Sequence, residues 1–226
     1  MTVGLFNTSS TQAASFNIDF GITQPSNNSA FGAAANQSGT WNNITTLGTT
    51  SNLIDVTGTS TTVSLNLIAP SAGVNGSIPG RSDISNLIDD SFFTTFNGTW
   101  SLTLSGLSNG IYDIYYYAPT NTIIETGTFE VNGVSAASIL GDNPNANDNE
   151  LDQGLDWDIV SGVNVTDGSL TFISSTPTSN FRGLSGLQLT QVSQPVPEPL
   201  TILGAGTAIA FGGAFKRKLA KNSKKK

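Results

Sequence analysis

The side chains able to do chemistry in this chain are few in kind. Among its 226 residues there is no cysteine and no histidine. That removes thiol chemistry, disulfides, the commonest general base and the commonest transition-metal ligand. Aromatic rings, carboxylates and amides remain. Rings stack on the apolar faces of sugars, so a carbohydrate module needs exposed Trp or Tyr beside polar groups. The rings available are Trp41, Trp100, Trp157, Tyr112, Tyr115, Tyr116 and Tyr117. Trp100 shares parity with Leu102 and Leu104, and Trp157 with Leu155 and Ile159, which predicts core positions for both. Tyr115 and Tyr117 share parity with Asp113, which predicts a more polar face, and Trp41 sits in a Gly/Asn-rich segment. Trp41, Asp113, Tyr115 and Tyr117 are therefore the carbohydrate-binding candidates, with packing as the alternative role for the rings.

The richest acidic stretch is 141–158. Asp142, Asp148, Glu150 and Asp152 lie among Asn143, Asn145, Asn147 and Asn149. Closely spaced oxygen donors are what calcium requires, and these four are the calcium candidates. The spacing fits no EF-hand, and a solvated acidic loop is the other reading. Two carboxylates suffice to hydrolyse a glycosidic bond, but no spacing here selects a pair. No nucleophile elbow, phosphate loop or zinc signature is present. The chain is read as a non-enzyme, with a polysaccharide-acting enzyme as the remotest alternative.

Charge is distributed very unevenly. Nine basic residues face 16 acidic ones, and only Arg81 and Arg182 precede Lys216. The acidic body has almost nothing with which to neutralise phosphates, which excludes nucleic acid as a partner. The basic end suggests contact with an anionic surface or a membrane.

Period-two alternation positions these residues. It runs through Phe16–Phe20, Val63–Leu67, Trp100–Leu104, Tyr112–Tyr116, Phe129–Val131, Leu170–Phe172 and Leu187–Leu189, broken by Gly, Asn and Ser clusters. This predicts antiparallel strands with one buried face. Only Ser82–Phe92 reads as helix, capped by Ser82 or Asp83, with Ile84, Leu87 and Ile88 on one face. Residues 15–192 are thus expected to form one all-β domain, an antiparallel β-sandwich of jelly-roll type with one short helix. The run from Leu102 to Tyr117 resembles a hairpin of galactose-binding-like jelly rolls of secreted bacterial proteins. Phe16–Gly21, Gly39–Asn42 and Gly186–Leu189 are similar to their opening and closing segments. The resemblance implies that fold and carries over no pocket residue.

Residues 193–199 form a Pro-rich linker, 200–215 a segment without charge, and 216–226 a basic tail. A helix of that uncharged length reaches roughly 24 Å at ~1.5 Å per residue, short of a ~30 Å hydrocarbon core, a gap that lysine snorkelling and bilayer thinning close. It is expected to be a single transmembrane-like helix with a cytoplasmic basic end. The order Pro197-Glu198-Pro199, hydrophobic Gly/Ala-rich stretch, Lys216-Arg217-Lys218 resembles the PEP-CTERM sorting signal in its cyanobacterial form. That resemblance implies processing by an exosortase near Pro197–Pro199 in a bacterium that makes exopolysaccharide. Residues 1–14 look like the last part of a signal peptide, with the true start upstream of Met1; a disordered N-terminus is the alternative. The expectation is an exported protein, membrane-associated before processing and then at the cell surface or extracellular. Its β-sandwich binds carbohydrate, or it is a structural surface protein without a defined ligand.

Overall fold

The computed structural model describes residues 14–26, 30–69, 73–75, 82–95, 98–120, 124–139, 150–174 and 181–192. The chain divides into Met1–Ser193 and Gln194–Lys226, and every described residue belongs to the first unit. The signal-peptide-like stretch up to residue 13, the Pro197–Pro199 motif, the hydrophobic segment and the cluster Lys216, Arg217 and Lys218 lie outside the described residues. Among the described residues no helix is long and apolar enough to cross a membrane.

The chain is nearly all β. In order it forms β1 (Phe16–Asp19), β2 (Trp41–Asn43), β3 (Gly48–Thr50), β4 (Ser64–Ile68), β5 (Gly73–Asn75), α1 (Asp83–Ile88), β6 (Ser91–Phe93) and β7 (Ser101–Ser105). Then follow β8 (Gly110–Tyr117), β9 (Ile124–Glu125), β10 (Phe129–Val131), β11 (Val134–Ala136), β12 (Trp157–Val165), β13 (Ser169–Ser174), β14 (Phe181–Leu184) and β15 (Gly186–Val192). A five-stranded sheet has the order β12-β8-β15-β1-β2, and a six-stranded sheet the order β11-β10-β13-β7-β4-β3. Four short strands, β5-β6-β14-β9, form a third sheet.

The two larger sheets bury one face each in a common core. Phe16, Ile18, Ile114, Tyr116, Leu187 and Leu189 of the first belong to the same apolar cluster as Leu65, Leu67, Leu102, Leu104, Phe129 and Phe172 of the second. Phe129 is the centre of the aromatic packing. Its ring centroid lies 5.0 Å from Tyr116, 5.3 Å from Trp100 and 6.2 Å from Phe172. Each strand named from alternation is present, with its apolar parity facing this core, and the result is a β-sandwich.

Three departures from the sequence reading have physical causes. Pairing is not wholly antiparallel: β1–β2 and β9–β14 are parallel. A parallel pair needs a long crossover, and residues 20–40 supply one for β1–β2. The helix keeps its Ser82 cap, whose Oγ accepts from Ser85 N at 3.3 Å, but it ends at Ile88 rather than running to Phe92. Phe92 packs against Phe20 and Trp100, while its neighbour Phe93 meets Phe181. Consecutive side chains sent to opposite sides require a strand. The third departure is in β12, whose register with β8 shifts between Val160 and Val163. The inward residues are therefore Val160, Val163 and Val165, and Trp157 with Ile159 points to the other face.

Removing the Phe129 ring leaves a cavity among three rings. Phe129→Ala should lose about 3–5 kcal/mol in urea unfolding, whereas Ile173→Ala, at a side chain 55% exposed, should stay within about 0.5 kcal/mol.

Candidate functional site

The outer face of the five-stranded sheet collects the polar and aromatic side chains. Alternation and register place Trp41 and Asn43 of β2, Asn17 and Asp19 of β1, and Gln188 and Thr190 of β15 on it. They are joined by Asp113, Tyr115 and Tyr117 of β8 and by Trp157 and Ile159 of β12.

Residues 30–37 and α1 cover one part of this face. The irregular 30–37 segment is held by hydrogen bonds to buried side chains of the sheet. Tyr117 Oη accepts from Ala34 N at 2.9 Å and donates to Gln188 Oε1 at 2.5 Å. Gln188 Oε1 also accepts from Ala35 N, and Gln188 Nε2 donates to Gly32 O and Asn17 Oδ1. Asn17 Nδ2 donates to Gln37 O, and Gln37 Nε2 returns a bond to Asn17 Oδ1. Burial pushes the Tyr117 phenol well above its usual range, so it stays a neutral donor. Beneath the same cover, Trp41 packs on Phe31 with centroids 5.8 Å apart and is only 3% exposed.

This corrects two carbohydrate candidates. Trp41 and Tyr117 are enclosed by residues 30–37 and α1 and present no ring face to a ligand. Tyr115 and Asp113 remain at the surface, each half-buried. Asp113 Oδ1 accepts from Gly162 N at 2.9 Å and so anchors the irregularity in β12.

Beyond the cover, Tyr115 and Trp157 form a ledge. Their centroids are 5.7 Å apart and their planes 35° from parallel. Trp157 is half-buried rather than a core residue, and its Nε1 donates to Leu151 O at 2.9 Å, which fixes the ring. The turn before it is tightly built. Asp156 N donates to Asp152 O at 2.8 Å, Asp156 Oδ2 accepts from Asp152 N at 2.9 Å, and Gly154 N donates to Trp157 O at 2.7 Å. Leu155 and Gln153 are exposed on this turn, and Gln153 Nε2 donates to Asp158 Oδ1 at 3.0 Å. A pair of half-open rings with a carboxylate on the same strand face can stack on a sugar and bond its hydroxyls.

Of the calcium candidates, Asp142 and Asp148 lie outside the described residues, while Glu150 and Asp152 are exposed on the turn. Among the described residues no three His, Cys, Asp or Glu side chains converge on a metal position. The sequence reading did not single out Asp19 and Asp90, whose carboxylates are both buried. Burial, then the charge of Asp90, holds the Asp19 carboxyl well above the usual range. Burial also raises Asp90, against lowering bonds from Thr23 and Ile22. The available signal was Asp19 inside the otherwise strand-like Phe16–Phe20. A depression of about 330 Å³ between Ile68, Thr99, Trp100, Ser101, Ile173 and Ser174 has no charged group, and its Trp100 ring is buried.

No family model and no curated protein matches the chain. Solved structures resemble it weakly. A Bacillus subtilis protein, YXIM, is 17% identical over 80% of this chain with a TM-score of 0.38; the chain spans 41% of that protein's length. A family 35 carbohydrate-binding module from Clostridium thermocellum is 12% identical over 56% of this chain and 93% of its own, with a TM-score of 0.35. TmCBM61, solved with β-1,4-galactotriose, is 9% identical over 57% of this chain and 88% of its own, with a TM-score of 0.30.

The three tryptophans differ in access, because Trp41 and Trp100 are buried and Trp157 is not. Acrylamide quenching should therefore report mainly on Trp157, and Trp157→Phe should abolish most of the quenchable emission. Undiminished quenching in that variant would mean the cover over Trp41 is open in solution.

Proposed function

We propose that the sandwich is a carbohydrate-binding module of galactose-binding-like jelly-roll type, carried on an exported cell-surface protein. The observation that carries the reading is the Tyr115–Trp157 ledge with Asp113 beside it. The ring planes are fixed before a ligand arrives, by the Nε1 bond of Trp157 and by packing of both rings on the covered cluster. A pre-set aromatic surface loses little side-chain entropy on binding. The body is acidic and has only Arg81 and Arg182 as cations, so the ligand is a neutral glycan rather than a polyanion. The ledge binds and orients sugar rings, and no catalytic role is assigned.

The tail reading belongs to the same proposal. Pro197-Glu198-Pro199, the uncharged 200–215 segment and Lys216, Arg217 and Lys218 serve as a sorting signal, with an exosortase and the membrane as partners before release to the surface. Intact mass of protein recovered from native cell surface and medium should show a start near Ala14 and an end near Pro199. A full-length mass in the membrane fraction would reduce the tail to an anchor.

For the ledge, affinity electrophoresis against neutral glycans and their carboxylated counterparts should retard the protein on neutral gels only. Trp157→Ala should weaken association about tenfold, with Tyr115→Ala similar. Retardation untouched by both substitutions would place any binding elsewhere; no retardation on any glycan would favour a purely structural surface role.

A further inference from the structure

We propose that Asn109 is a site of spontaneous deamidation through its own backbone, and that the fold withholds the same reaction from Asn132. The chain has four Asn–Gly dipeptides, at Asn75, Asn97, Asn109 and Asn132, and those at Asn109 and Asn132 are described at both residues. In this dipeptide the glycine nitrogen can attack the asparagine side-chain carbonyl, because glycine has no Cβ to obstruct the approach. At Asn109 the bond from Gly110 N to Cγ forms and the Cγ–Nδ2 bond breaks. The Gly110 amide proton leaves with Nδ2 as ammonia, and a cyclic imide remains. Water then opens the ring at either carbonyl. The products are aspartate and a β-linked isoaspartate whose main chain is longer by one methylene. No oxidant or reductant takes part.

The two dipeptides are chemically equal, and their side-chain bonding separates them. Asn109 is exposed in the loop between β7 and β8. Its Oδ1 accepts from Gly168 N at 2.9 Å, and its Nδ2 has no acceptor among the described residues. A donor on Oδ1 draws electrons from Cγ and steadies the charge of the tetrahedral intermediate, while nothing holds the departing nitrogen. Leu107 N donates to Gly168 O at 3.0 Å and keeps the loop beside that donor. Asn132 occupies the two-residue turn between β10 and β11, with φ of 47° and with Gly133 at 81°, as a primed hairpin turn requires. Its amide is a cross-brace. Oδ1 accepts from Thr171 N at 2.8 Å, and Nδ2 donates to Ser169 O at 3.1 Å and to Asn164 O at 3.3 Å. Closing the ring there breaks all three bonds, against at most one at Asn109. Two further bonds slow the reaction about thirtyfold. The products at Asn109 differ in effect. Aspartate still accepts from Gly168 N. The β-linked form displaces the residue 109 carbonyl, to which Gln191 Nε2 donates at 3.2 Å, and so loosens the end of β15.

The test incubates the full chain in mildly alkaline buffer, folded, beside a sample unfolded in guanidinium chloride. Peptide mapping by mass spectrometry, with isoaspartyl methyltransferase labelling, reads each Asn–Gly separately. In the folded chain Asn109 should convert, and Asn132 should lag it by about thirtyfold. In the unfolded chain the two rates should converge. Asn109 left intact in the folded chain while it converts in the unfolded one overturns the site. Equal rates at the two positions in the folded chain overturn the protection of Asn132. Asn109→Asp should melt with the parent, and the aged fraction carrying the β-linked residue should melt lower. Equal melting of that fraction would overturn the loosening of β15.

Discussion

Gln188 sits in the middle of the five-stranded sheet with no access to water, so its amide must find every partner inside the protein. A buried amide left unpaired costs more than the bond it would have made contributes. Its partners come from three places: Asn17 on the next strand, Tyr117 on the other neighbour, and the backbone of residues 32, 35 and 37. The 30–37 segment has no regular structure of its own, and these bonds anchor it to the sheet. Trp41 is enclosed because that segment stays in place. The edge of the same cover defines where the Tyr115–Trp157 ledge begins.

Much of the sandwich was legible because seven strands alternate cleanly, and alternation with one buried face admits few other structures. Short strands such as β2, β3 and β9 were not legible, since their sequences Trp-Asn-Asn, Gly-Thr-Thr and Ile-Glu carry no apolar–polar–apolar alternation. Parity alone put Tyr115 and Asp113 on the outer face, where the structure has them. Trp157 was misplaced by the same rule, because the register shift between Val160 and Val163 changes which parity faces inward. Trp41 and Tyr117 were read as rings open to a ligand, yet they are buried, because the irregular 30–37 segment, far from Tyr117 in sequence, lies over both. Asp19 and Asp90 come together only through tertiary structure, and no local pattern joins residues so far apart.

The low charge content also follows from the architecture. On the outer face of the six-stranded sheet, Thr49, Asn66, Thr103 and Thr171 stand side by side across four strands. Thr49 Oγ and Asn66 Oδ1 are 3.3 Å apart. Hydroxyls and amides keep such a face hydrated while the β-branched stems suit the pleat. A surface built this way needs few lysines or glutamates.

The position of β15 has a mechanical consequence. It is the last described strand, and it runs antiparallel between β8 and β1, bonded to both. Tension entering from the C-terminal side therefore meets an interior strand rather than an edge. To extract it, the load must shear two ladders at once and strip Gln188 from its buried partners. A domain held from that side resists drag through an interior strand bonded along both edges, while Tyr115 of the ledge lies one strand away from the line of force and Trp157 two.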